Sequence, residues 1–218
     1  MRFLASAIVL SFFAVFAAAS PVPQSLNPQP LPPGFDPSKV GIEAVSYAGS
    51  GCKAGSVAIS PSQDWTVVTL AFDSYIASIG PGIPFVERRK NCNINFRLHY
   101  PQGYSFALYK TDYIGRVDLQ DRVNATQESN YWFAGHPPPP PEPIYSRWTG
   151  PINENYHLTD TLVGSALVWS PCGASTTFNV NTQVYLDSSD PTKSGFITTD
   201  VIDNKVKTLL GIQWQQCH

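Results

Sequence analysis

The chain has 218 residues, of which 43% are hydrophobic, 12% aromatic and 14% charged, and 14 basic against 16 acidic side chains give a formal net charge of −2. That near-neutral balance supplies neither the basic stripe needed to displace counterions from nucleic-acid phosphate nor a polybasic segment for anionic lipid. No nucleic acid and no inner-leaflet membrane is therefore expected as a partner.

At the N-terminus Arg2 supplies a positive segment, Phe3 to Phe16 is almost continuously apolar, and Ala17-Ala18-Ala19 presents the small residues that a signal peptidase reads. Residues 1–19 are read as a signal peptide cut after Ala19, because a cut after Ser20 would leave Pro21 at the scissile bond. The apolar run ends short of the roughly 18 to 20 residues that span a bilayer, and no second run follows, so no membrane span is expected. The predicted location is secreted, in the extracellular space or the cell wall.

Residues 20–39 carry seven of the 20 prolines and show neither a helical nor a strand period. Proline fixes φ and removes a donor, so an extended, polyproline-like leader is expected, serving as a spacer rather than as a Pro-rich ligand. The remaining chain is long enough for one domain, 40–218, with a substantial core.

From Val40 onwards the hydrophobic period is two. In Cys92 to Tyr100, Ile94, Phe96, Leu98 and Tyr100 point one way while Asn93, Asn95, Arg97 and His99 point the other. Thr177 to Leu186 opposes Phe178, Val180, Thr182, Val184 and Leu186 to Asn179, Asn181, Gln183 and Tyr185. Lys205 to Trp214 alternates again through Val206, Thr208, Leu210, Ile212 and Trp214. Shorter β-branched and aromatic runs at Ile42 to Tyr47, Trp65 to Phe72, Tyr104 to Tyr109 and Ser165 to Trp169 are bounded by turn formers. Regularly spaced strands without a comparable helical stretch predict an all-β fold, an antiparallel, jelly-roll-like β-sandwich. A second Pro tract at 136–143 cannot join a sheet ladder and is expected as a stiff surface loop.

Four cysteines in an oxidising compartment, none with zinc-like spacing, favour disulfides. Three connectivities are possible, and the pairing within each half of the chain, Cys52 with Cys92 and Cys172 with Cys217, is favoured. Loops of that length stabilise by about 4 kcal/mol per bridge in the chain-entropy limit.

The chemistry-bearing motifs are sparse. No Gly-x-Ser-x-Gly elbow, His-Glu-x-x-His, phosphate-cradling loop or unpaired cysteine is present, so no catalytic residue is assigned. His99, His136, His157 and His218 are scattered. Asp73, Asp118, Asp121, Glu128, Glu154 and Asp160 are available for a glycosidase-type carboxylate pair, although Asp118 and Asp121 beside Arg116 and Arg122 read as a salt-bridged turn. Asp118, Asp121, Asp187 and Asp190 make no recognisable calcium loop, so neither metal nor cofactor is expected. Asn124-Ala125-Thr126 is the sole N-glycosylation sequon, and Arg88-Arg89-Lys90 is either a processing site or a solvated turn. The candidate ligand surface is the polar faces of the strands, where Asn93, Asn95, Asn179, Asn181, Gln183, Tyr185 and Gln213 offer amides beside an aromatic ring, a mixture that suits carbohydrate. The alternative is an ordinary solvated sheet.

Ser50-Gly51-Cys52-Lys53-Ala54-Gly55-Ser56, Asp73-Ser74-Tyr75, Lys90-Asn91-Cys92, Tyr100-Pro101-Gln102-Gly103, Trp169-Ser170-Pro171-Cys172-Gly173, Asn179-Val180-Asn181-Thr182-Gln183 and Gln213-Trp214-Gln215 occur in this order. Over Gly41 to Cys217 the chain resembles the fungal secreted family known as domain of unknown function 4360. The resemblance implies a small secreted domain with disulfide cysteines at Cys52, Cys92, Cys172 and Cys217, and it brings no catalytic residues. Lys53 and the 136–143 tract depart from the family pattern. The expected protein is a non-enzymatic fungal β-sandwich binding cell-wall glycan. The alternatives are a polysaccharide-active enzyme with an unrecognised carboxylate pair and an apoplastic effector that binds a host protein.

Overall fold

The structure, a computed structural model, describes residues 29–73, 75–135, 144–162, 167–173, 175–198, 200–202 and 205–217. Residues 1–28, read above as a signal peptide and the first part of the leader, and the 136–143 tract lie outside the described residues. Thirteen strands are formed among them: β1 (Gly41–Ala48), β2 (Val57–Pro61), β3 (Val67–Phe72), β4 (Ile76–Ile79), β5 (Arg89–His99), β6 (Tyr104–Leu119), β7 (Val123–Phe133), β8 (Ile144–Thr149), β9 (Ile152–Thr161), β10 (Thr176–Ser188), β11 (Gly195–Thr198), β12 (Asp200–Ile202) and β13 (Lys205–Gln216). Two single 3₁₀ turns, Pro37–Lys39 and Phe85–Arg88, are the helical elements among the described residues.

The strands make two antiparallel sheets. One runs β1-β5-β10-β7-β8; the other runs β2-β3-β13-β6-β11-β4, with β9 added to β6 and β12 to β13. Alternation explains the packing. Inward Ile94, Phe96 and Leu98 of β5 and Phe178, Val180, Val184 and Leu186 of β10 meet Phe106, Leu108, Val117, Leu210 and Ile212 of the other sheet in one core. Phe106 stands edge-on to Phe133 with ring centroids 5.1 Å apart, and Phe178 lies 5.2 Å from Phe133. Both favoured disulfides are formed, Cys52–Cys92 and Cys172–Cys217.

Several elements differ from the sequence reading. The run at Tyr104–Tyr109 is the first third of β6, whose alternation changes phase: Phe106 and Leu108 are buried before Tyr109, and Thr111, Tyr113, Val117 and Leu119 after it. The register with β13 jumps there, from Gly211 opposite Lys110 to Ile212 opposite Leu108, which makes Tyr109 the extra residue of a β-bulge. The long strand therefore reads as a short one. Strands β7, β8 and β9 had no clean apolar alternation, because β7 turns Gln127 and Ser129 inward and most of β9 is exposed. Trp169, expected at the end of a strand, makes one isolated bridge to Ala107.

The described part of the leader is not a free spacer. Phe35 is 9% exposed and packs on Trp214 and Tyr104, at 4.5 Å and 5.1 Å. Tyr104 and Gln216 both donate hydrogen bonds to the Pro33 carbonyl. One apolar ring among the prolines suffices to dock the segment against the open end of the sandwich, because it covers rings that would otherwise meet water.

Candidate functional site

Register decides what the outer surface of the five-stranded sheet carries. Between β5 and β10, Asn95 lies opposite Asn179, Asn93 opposite Asn181 and Asn91 opposite Gln183. Between β10 and β7, Asn179 faces Trp132, Asn181 faces Asn130 and Gln183 faces Glu128. Since the alternate residues of all three strands are buried inward, these side chains share the outward face, although Asn179 is covered there and only 7% exposed. Successive rows are two residues apart, about 7 Å, and strands are about 4.8 Å apart. The next row holds Arg89, Tyr185, Thr126 and Arg147, and Tyr145 stands beside Glu128 on β8. The face is thus a ladder of amides with Glu128 at the edge of its third row, framed by Trp132 at one end and by Tyr185, about 20 Å away along the strands, at the other, with Tyr145 one row short of Tyr185.

The six candidates Asn93, Asn95, Asn179, Asn181, Gln183 and Tyr185 are adjacent on this face. Gln213 is not with them, because it lies on β13 of the other sheet, opposite Ala107. Sequence reasoning did not include Asn91, Asn130, Trp132 and Tyr145. Trp132 and Tyr145 lie on β7 and β8, whose residues show no clean alternation in the sequence.

Some of the amides are tied down. Asn95 donates to Ser46 Oγ over 3.4 Å, Asn179 donates to the Trp132 carbonyl over 3.2 Å, and Ser50 Oγ donates to Asn91 Oδ1 over 3.0 Å. The Arg89 guanidinium donates to Gln183 Oε1 from Nε at 2.9 Å and also from Nη2. Asn93 Oδ1 is itself buried and has no hydrogen-bond partner among the described residues, so it is not an acceptor open to solvent. Charges gather at the ends of the ladder. Arg97 and Glu43 pair at 2.9 Å on one side, and Arg89, Glu128 and Asp187 border a depression of about 550 Å³, walled by Phe85 and Tyr185, on the other.

The basic triplet straddles the exposed Phe85–Arg88 turn and the start of β5. Arg88 closes a 3₁₀ turn with its guanidinium 5.1 Å from the Phe85 ring centre, while Arg89 and Lys90 enter the β5 ladder. Lys90, its side chain 13% exposed, bonds Glu87 at 2.7 Å.

The carboxylates are spread over both sheets. Glu128 and Asp187 border the same depression, with Glu128 level with Gln183, four residues from Asp187, so their backbones are about 13 Å apart along the strands. Asp112 and Asp160 are close in register, Asp112 opposite Thr159 and Thr111 opposite Asp160, so their side chains leave opposite faces of the sheet. Burial, then the charge of Asp112, raises the Asp160 carboxyl above its ordinary range. Asp118 is on β6 rather than in a turn, accepting from Asn153 at 2.8 Å. Asp121 is held below the usual carboxylate range by its hydrogen bond from Lys193, and Asp190 by those from Thr192. No group of three or more His, Cys, Asp or Glu residues able to hold a metal occurs among the described residues.

The ordered motifs cluster around the two disulfides. Gly51 donates its N–H to the Asn91 carbonyl at 2.9 Å beside Cys52–Cys92, and a Cβ on Gly51 would lie 2.2 Å from the ring of Tyr75. Tyr100 donates its hydroxyl to the Pro171 carbonyl at 2.6 Å, and Cys217 its N–H to the Gly103 carbonyl at 2.9 Å, beside Cys172–Cys217. Asn91, Asn179, Asn181 and Gln183 belong to two further motifs and stand on the amide face. The motifs therefore describe crosslinked packing and one polar surface.

Fold, crosslinks and face together define a disulfide-stabilised antiparallel β-sandwich with an outward amide and aromatic surface. The chain belongs to the family described as Domain of unknown function (DUF4360), whose model matches residues 38–217. A relative from Arthroderma benhamiae, an uncharacterized secreted protein, is 41% identical over 182 residues, covering 84% of this chain and 74% of the relative. The protein is secreted, in keeping with its disulfides. Among solved structures, TmCBM61 in complex with beta-1,4-galactotriose is similar over 80% of this chain and 90% of its own, with 8% identity and a TM-score of 0.27. The enzymatically active domain of bacteriophage CBA120 tailspike protein 4 is similar over 82% of this chain and 20% of its own, with 14% identity and a TM-score of 0.26. At that level of superposition neither bears on what this protein binds.

Proposed function

We propose that this secreted protein is a non-enzymatic glycan-binding module that lays a neutral polysaccharide along the outward face of the five-stranded sheet. The observation that carries this reading is the register-matched ladder of Asn91, Asn93, Asn95, Asn130, Asn179, Asn181 and Gln183 between Trp132 and Tyr185. Amides exchange paired hydrogen bonds with sugar hydroxyls, and aromatic rings cover the apolar faces of the sugar rings. Paired strands hold both in place without reorganisation, so little ordering cost opposes binding. The row of Asn93, Asn181 and Asn130 carries no charge, which favours a neutral polymer over an acidic one.

The test is retention of the mature, disulfide-bonded chain on chitin, β-1,3-glucan and cellulose, with soluble sugar assayed in parallel. Retention without release is expected, and Trp132→Ala and Asn181→Ala should each weaken it about tenfold while leaving the unfolding midpoint close to wild type. Release of sugar, or retention indifferent to both substitutions, overturns the reading. A second reading, capture of an extracellular protein, is favoured by Phe85 and Val86, which are 78% and 71% exposed on the turn beside the face. Val86→Ser separates the two, since Val86 does not line the depression beside Tyr185 and its loss should leave polysaccharide retention intact.

A further inference from the structure

We propose that Asn124 is N-glycosylated and that the attached glycan masks the Tyr185 end of the binding face, a regulation that rests on the glycan-binding reading above. The sequon Asn124-Ala125-Thr126 opens β7, where Val123 and Ala125 are buried inward, so alternation turns Asn124 to the same outer surface as the amide ladder. Asp187 and Thr149 are its cross-strand neighbours, and Tyr185 is its diagonal neighbour, roughly 7 to 8 Å away between backbones and within reach of a large side chain. Asn124 lines a depression of about 340 Å³ with Arg147, Thr149, Tyr185 and Asp187. Tyr185 and Asp187 also line the larger depression at the end of the ladder. A sugar on Asn124 therefore lies against the ring that frames the binding face.

The folded chain also dictates when attachment happens. Thr126 is 4% exposed, and β7 is paired with β10 on one side and β8 on the other, so a transferase cannot draw the sequon into an extended grip once the sheet has formed. Modification precedes folding. In that step Nδ2 bonds to the anomeric carbon of an oligosaccharide carried on a lipid-linked pyrophosphate. The carbon–oxygen bond to pyrophosphate breaks, the pyrophosphate leaves with its electron pair, and one amide proton is lost to a base. One N–H remains on Nδ2, so the 3.0 Å hydrogen bond that Asn124 donates to Asp187 Oδ1 can re-form, as can the bond from Thr149 Oγ1 to Asn124 Oδ1. The fold tolerates the modification, and the occupied groove loses the stacking ring at one end.

The experiment compares the chain secreted by a glycosylating eukaryotic host with the same chain from a non-glycosylating, disulfide-forming host, and Asn124→Gln from both. Mass spectrometry should find an oligosaccharide on the Asn124 peptide. The modified protein should be retained on the polysaccharide about tenfold more weakly than the unmodified one. Asn124→Gln from either host should match the unmodified wild type. An unmodified Asn124 from the glycosylating host, or equal retention of both forms, overturns the masking. Loss of retention in every form instead sinks the glycan-binding reading itself, and the masking with it.

Discussion

Gly115 shows how far single positions control this sandwich. A Cβ there would lie 2.2 Å from the Thr198 carbonyl oxygen and 2.3 Å from the Tyr156 ring, and the carbonyl belongs to a paired strand that cannot retreat. Gly115→Ala should therefore cost about 1 to 3 kcal/mol, read as a lower midpoint in urea. Asp160 acts in the opposite sense. Its raised pKa means the folded chain holds that proton more tightly than the unfolded chain. The ionised carboxylate then costs stability at every pH above the folded value, and the cost disappears below the ordinary value of 3.8. Asp160→Asn should raise the melting temperature at neutral pH, and the two chains should converge as the pH falls toward 3. A constant offset across that range would mean that the charge is not the cause.

Among the elements, the central strands β5 and β10 carry both the core and the candidate site on opposite faces, so a binding substitution is interpretable only if it faces outward. Because the central row of the ladder is Asn93, Asn181 and Asn130, retention on a neutral polysaccharide should be nearly the same at low salt and at 1 M salt, where charge pairing is screened. A steep loss with salt would move the site to the Arg89 and Arg147 end. The docked leader makes a separate prediction. Phe35 closes the end of the sandwich on Trp214 and Tyr104, and Phe35→Ala should cost about 3 kcal/mol in chemical unfolding, which no free spacer would show.

At the scale of the whole molecule, sheet neighbours are remote in sequence: β1 pairs with β5, and β5 with β10. The disulfides restrict that search. Replacing Cys172 and Cys217 by serine removes a crosslink across a sequence separation of 45 and should cost up to about 4 kcal/mol, measured by denaturant midpoint. The contrast with the candidate face is instructive, since losing the bridge should lower stability while leaving outward amides unchanged in kind.

Much of this architecture was legible because alternation and burial are local consequences of the same two-residue period. Ile94 and Asn95, or Val180 and Asn181, declare their faces from sequence alone, and the cysteines and the apolar N-terminus point to an oxidising compartment. The 16-residue β6 was hidden by its own bulge, which reverses the period at Tyr109, and β7 to β9 were hidden because their inward residues include Gln127, Ser129 and Tyr156 rather than aliphatics. Strand order and register are long-range choices, made by which hydrophobic faces fit together. Only that pairing could set Asn93 beside Asn181 and Asn130, send Gln213 to the other sheet, separate Glu128 from Asp187, and bring Asn124 next to Tyr185.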